Sequence, residues 1–156
     1  MSNEELLIQR VTAEITAETG NLDKIRQDLA AFRAAYTEMN PFLIRALGSL
    51  VADFYSGVER VLKIIAEELD GGLPKSENWH KQLLINANLA IAERPPVLSG
   101  RTVTALLPYL GFRHVFRNAY GFELDYDRMK QLEQRLPETL ELFANDIHSF
   151  CAWLKQ

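Results

Sequence analysis

Only one cysteine, Cys151, occurs among the 156 residues, so no internal disulfide can form and the chain is suited to a reducing compartment. No stretch approaches the roughly 18 uninterrupted apolar residues of a membrane span, which excludes a membrane-embedded role for these helices. The opening "MSNEELLIQR" lacks the basic-then-apolar layout of a secretion signal, and a cytoplasmic location is expected. Basic charge is also scarce. A net charge of -4 and a pI near 5.4 exclude broad nonspecific binding to nucleic acid, which needs a cationic face to displace counterions from phosphates. Any contact with RNA has to rest on a local cluster.

Metal and nucleotide signatures are absent as well. The three histidines show no ligand spacing, and there is neither an HExxH pattern nor a cysteine pair, so no metal and no cofactor are expected. Gly71 and Gly72 lack the flanking strand and lysine of a phosphate-binding loop and read as turn glycines. No alternating apolar and polar run marks a strand, and no repeat or low-complexity linker divides the chain.

What is present is helical periodicity. Hydrophobic residues make up 47% and charged residues 24%, ordinary proportions for one globular domain spanning residues 1–156. From Glu4 to about Glu38, Leu7, Val11, Ile15, Leu22, Ile25, Leu29, Phe32 and Tyr36 recur at threes and fours, with Gly20 and Asn21 as a point of bending or interruption. Asn40 and Pro41 read as an N-cap and first-position proline opening a second long helix, which "DGG" at 70–72 stops. A short third helix is expected from near Glu77 to Ala92. Ser99 caps a fourth, with Pro108 and Gly111 as kink points and Gly121 as its close. A fifth runs from Asp125–Asp127 to Leu154, with Pro137 as a kink or restart. The expected fold is all-α, an up-and-down bundle of about five helices.

The fourth helix contains a conflict. Val103, Leu106, Leu107 and Leu110 share a stripe that continues onto His114, Arg117 and Asn118, while Phe112, Val115, Phe116 and Ala119 form a second stripe on about the opposite side. Either the helix resets at Gly111, or both faces are covered and the polar set lines a pocket or subunit seam. Arg113 and Arg117 are one turn apart, so their guanidinium groups can hold one phosphate; His114 can exchange a proton near neutral pH, and Tyr120 offers a hydroxyl. The plainer alternative is a solvated basic patch beside Glu123, Asp125 and Asp127.

Elsewhere the plain alternatives prevail. Cys151, among Ile147, Phe150 and Leu154, reads as a core residue, and His148, offset from the apolar stripe of the last helix, as exposed. Trp79 and His80 read as packing residues at the start of the third helix.

The stretch "FRHVFRNAYGFELDYDRM" resembles the HEPN superfamily, in particular its HepT-like members, whose signature is Arg, four to six arbitrary residues, His, one residue and Tyr. "FYSGVERVLKIIAEELDG" and "WHKQLL" extend the likeness from about Pro41 to the C-terminus. The resemblance implies a dimerising helical bundle that acts as a metal-independent endoribonuclease toxin beside a minimal nucleotidyltransferase antitoxin. By position, Arg113 takes the arginine slot, His114 the polar residue after it, Asn118 the histidine slot and Tyr120 the tyrosine slot, which in some systems receives AMP. Glu59 matches an acid of the second helix that would orient an arginine of the motif; a surface salt bridge is its alternative role. Asn118 is the departure, because an amide cannot act as an acid or base at neutral pH. His114 could substitute for it, or the chain is a weakened member that binds RNA or its nucleotidyltransferase without cutting. A homodimer is expected, since one copy of the motif offers a single candidate base and a twofold seam would add a second.

Overall fold

The computed structural model describes residues 1–156 as five α-helices and one 3-10 turn: α1 (Asn3–Ala35), α2 (Pro41–Leu69), α3 (Trp79–Asn86), α4 (Gly100–Asn118), the turn Gly121–Glu123, and α5 (Tyr126–Leu154). There is no sheet; the sole bridge joins Ile91 to Arg94 within a loop.

Local chemistry sets the helix ends. Ser2 and Glu5 close a reciprocal capping box, the Ser2 hydroxyl accepting from the Glu5 amide at 3.1 Å and the Glu5 carboxylate from the Ser2 amide at 2.8 Å. Asn40 accepts from the amides of Phe42 and Leu43, with Pro41 at the first helical position where a missing N–H costs nothing. Gly71 and Gly72, at φ 84° and 134°, take the chain out of α2 through a region that disfavours side chains.

The central element is α2, which touches every other one. Its buried positions cover the broader part of the helix and leave one exposed stripe through Ser49, Asp53, Arg60 and Glu67, so it is an amphipathic helix set deep in the bundle. By contrast α1 buries only Val11, Ile15, Leu22 and Leu29, a narrow stripe at steps of four and seven. Leu22 lies over Gly57 so closely that a β-carbon there would come within 2.5 Å of the leucine methyl. This approach, with Arg10 paired to Glu68 at 2.9 Å, fixes α1 antiparallel to α2. Likewise α4 and α5 run antiparallel: Asp146 holds the Ser99 amide at 3.0 Å and the Thr102 hydroxyl at 2.6 Å at one end, and the Tyr109 hydroxyl donates to the Leu132 carbonyl at 2.6 Å further along. An up-and-down all-α bundle is therefore what the chain forms.

Several boundaries differ from expectation. Gly20 and Asn21 do not interrupt α1, which stops at Ala35 rather than Glu38. The third helix is eight residues, not the expected run from Glu77 to Ala92. Its continuation is blocked because the buried Arg94 guanidinium takes the carbonyls of Asn86, Leu89 and Pro95 while forking onto Asp70, and Ala92 sits at φ 53°. Neither Pro137 nor Pro108 breaks its helix. Pro137 cannot donate to the Glu133 carbonyl four residues back, and the Arg33 guanidinium of α1 donates there instead at 2.7 Å. Gly121 does not close α4; the helix ends at Asn118, and a side chain at Gly121 would collide with the Arg45 guanidinium. As expected, Cys151 packs against the core, where burial pushes its thiol up, and His148 is exposed.

Candidate functional site

Gly111 leaves α4 continuous, so no reset separates the two apolar stripes. The buried line is a third one, Thr102, Leu106, Tyr109 and Phe112, with Phe116 packed behind it. From Thr102 through Leu106 and Tyr109, steps of four, three and four lead to Arg113, which therefore points toward α2 rather than solvent. Its side chain is only 15% exposed. His114 and Arg117, displaced round the helix, stay exposed on the flank that faces α3.

Two residues of α2, three apart on one face, receive Arg113. Its Nε donates to the Ser56 hydroxyl at 2.8 Å, and its Nη1 lies 3.6 Å from Glu59 Oε1. Glu59 is buried, 4% exposed, so a surface salt bridge is not its setting. Its second oxygen meets the Nδ1 of His80, on α3, at 2.8 Å. One buried carboxylate thus joins a guanidinium and an imidazole from two other helices, which compensates for its lost hydration. Behind it stands Tyr55, fully buried with a hydroxyl that has no protein partner. Burial first, then the Glu59 charge, push that phenol up, while Arg113 pulls it down.

In front of this network opens a groove of about 750 Å3 between α3 and the second half of α4. Arg113, His114, Arg117 and Asn118 line it from α4, His80 and Lys81 from α3, and Glu77 and Asn78 from the loop before α3. Leu110 is its only apolar lining residue, so the groove suits a polar ligand, and its cations outnumber its acids on a chain that is acidic as a whole. Such a surface can neutralise a phosphate and stabilise charge that grows on it.

Not every expected site residue joins the groove. Asn118 lines it but donates one of its two amide N–H groups to the His114 carbonyl at 2.7 Å, which leaves the other N–H and the oxygen for a ligand. Tyr120, beyond the helix end, is 71% exposed and stacks parallel to Phe122 at 5.3 Å, outside the groove lining. Glu59 lies behind the groove, reaching it through Arg113 and His80.

Ser56 does not stand out in the sequence, and His80 stands out there only as a packing residue. His80 does stack on Trp79, at 3.7 Å between ring centres, as a packing residue would, yet it also lines the groove and binds Glu59. The available signal was Ser56 and Glu59 standing three apart among the apolar residues of α2, a polar pair that burial would oblige to find partners. Two imidazoles, His80 and His114, border one groove of one protomer. The scarcity of proton-transfer groups that argued for a second copy therefore does not hold.

The sequence pattern of a family described as "HepT-like protein" matches residues 46–154, from the second turn of α2 to the end of α5, and leaves out α1. No curated protein and no solved structure matches the chain.

Proposed function

The chain belongs to the HepT-like family, and from that premise we propose that it is a metal-independent endoribonuclease toxin of a toxin–antitoxin pair. The observation that carries this reading is the convergence of Arg113, His114, Arg117 and Asn118 on one groove with a single apolar lining residue. Arg113 and Arg117 hold the RNA phosphodiester and the charge that builds on it. The adjacent ribose 2′-hydroxyl is the nucleophile, His114 takes part in proton transfer, and the Asn118 oxygen orients the ribose. Glu59 and Ser56 hold Arg113 in place. Tyr120, stacked on Phe122 and open to solvent, is placed to contact an unpaired base. The partner is a minimal nucleotidyltransferase antitoxin, and the assembly a homodimer, as the family resemblance implies.

A second reading has its own support. The amide at position 118 and the exposure of the Tyr120 phenol favour a module that binds RNA or its nucleotidyltransferase without cutting, with the phenol attacking the α-phosphate of ATP and pyrophosphate leaving. One experiment separates the two. Purified protein, with its mass in solution measured at working concentration, is incubated with total RNA in the presence of a chelator. Cutting by a dimer, reduced roughly hundredfold or more by Arg113→Ala, is the expected result. Intact RNA, together with tight binding of a small nucleotidyltransferase, would establish the second reading instead, and a monomeric mass would remove the homodimer.

A further inference from the structure

Glu59 is an acceptor only, so the ring nitrogen of His80 that meets it at 2.8 Å carries the hydrogen, and in the neutral ring Nε2 keeps its lone pair. That side chain is 36% exposed and lines the groove beside Arg113 and His114. Its ring is steadied on its face by Trp79, over which the Lys63 ammonium sits at 5.6 Å from the ring centre. A carboxylate behind an imidazole selects the tautomer and stabilises the imidazolium formed when the other nitrogen takes a proton. A histidine that served packing alone would need neither the buried carboxylate nor the open groove.

We infer that His80 is the general base of the cleavage proposed above, with Glu59 as its positioning residue; the inference rests on that ribonuclease reading. The 2′-hydroxyl proton passes to His80 Nε2, and the freed oxygen forms a bond to the neighbouring phosphorus. The bond from phosphorus to the 5′-oxygen breaks, and this oxygen takes a proton from the His114 imidazolium. The products are a 2′,3′-cyclic phosphate and a 5′-hydroxyl, and exchange with solvent then removes the proton from His80 and returns one to His114. No protein nucleophile takes part, and a single protomer supplies both imidazoles.

The charged and titratable groups around His80 are Glu59 and Lys63 from α2, Glu77 and Lys81 from α3 and its approach, and Arg113, His114 and Arg117 from α4. Among these only His114 carries a second imidazole, so each limb of the pH–rate profile is assigned by replacing one histidine at a time. The test uses the whole chain and a short single-stranded RNA, with cyclic phosphate scored as product. His80→Ala should lower kcat about hundredfold with KM changed less than threefold, and added imidazole should restore at least tenfold of the loss. His80→Gln, which keeps a donor toward Glu59 and serves if the alanine variant fails to fold, should lose the acid limb of the profile, whereas His114→Gln should lose the alkaline limb. A His80→Gln variant that cuts within threefold of the natural chain, or keeps both limbs, overturns the inference while leaving the ribonuclease reading intact. If the natural chain yields no cyclic phosphate at all, both fall together.

Discussion

By the resemblance drawn from the sequence, one amide, Asn118, stands in the histidine slot between Arg113 and Tyr120. Asn118 is exposed, is the last residue of α4, and donates one of its two amide N–H groups to the His114 carbonyl. An imidazole in its place would sit at the negative end of the helix dipole, which favours its charged form and spares the fold. Asn118→His should therefore raise RNA cleavage by roughly tenfold, since it adds an imidazole to the two already at the groove. Initial rates on single-stranded RNA measure this, and an unchanged or lower rate would place the slot away from the reacting centre. The motif residues were legible in the sequence because they are contiguous and chemically conspicuous. Their partners were not: Ser56 lies 57 positions from Arg113, and His80 lies 21 from Glu59, distances that only packing closes. A histidine beside a tryptophan at a helix start looks like core until the carboxylate behind it is seen.

Helix ends were legible wherever a side chain caps the backbone. Asn40 with Pro41, Ser99, Asp125 and the glycines after Asp70 each mark a boundary through an interaction confined to a few residues. The end of α3 was not, because what halts it is a guanidinium from eight residues downstream of Asn86 that takes up carbonyls a longer helix would use. Arg94 holds this segment together. Its side chain is 4% exposed, it forks onto Asp70 at 2.6 and 2.9 Å, and it ties the end of α2 to the loop that delivers α4. Arg94→Ala leaves the largely buried Asp70 without its cation, a loss on the order of 3–5 kcal/mol. In a chain of this size that corresponds to a fall in Tm of roughly 10 °C by calorimetry. A change under about 2 °C would mean that the segment holds its shape by other contacts. The same logic explains Pro137, whose orphaned Glu133 carbonyl is served by Arg33 from another helix, so that a residue read as a kink or restart is carried inside an unbroken α5.

For the molecule as a whole, the fold class followed from periodicity alone, since apolar residues at threes and fours admit little else, whereas the basic groove on an acidic chain depends on how α3 and α4 meet. Burial on this scale also sets a limit on the alkaline side. Tyr109 lies between α4 and α5, 1% exposed, its hydroxyl donating to Leu132, and burial pushes its phenol from 10.0 up to about 12, against smaller downward pulls from Thr139 and Arg135. Tyr55 is pushed up as well. Below pH 10 these phenols keep their protons whether the chain is folded or not, and their contribution to stability is whole. Above it the unfolded chain ionises first, binds fewer protons than the folded one, and stability falls by about 1.4 kcal/mol per pH unit for each such tyrosine. For Tyr109 that fall ends as the pH passes about 12, where the folded phenol itself ionises. Urea unfolding from pH 9 to 12 should show this decline, and Tyr109→Phe should make it shallower by about one tyrosine's share. The variant also loses a buried hydrogen bond, about 1 kcal/mol at neutral pH, so the slope rather than the absolute stability is the quantity to compare. Equal slopes in the two proteins would show that Tyr109 ionises as readily in the bundle as in water, which its enclosure between two helices forbids.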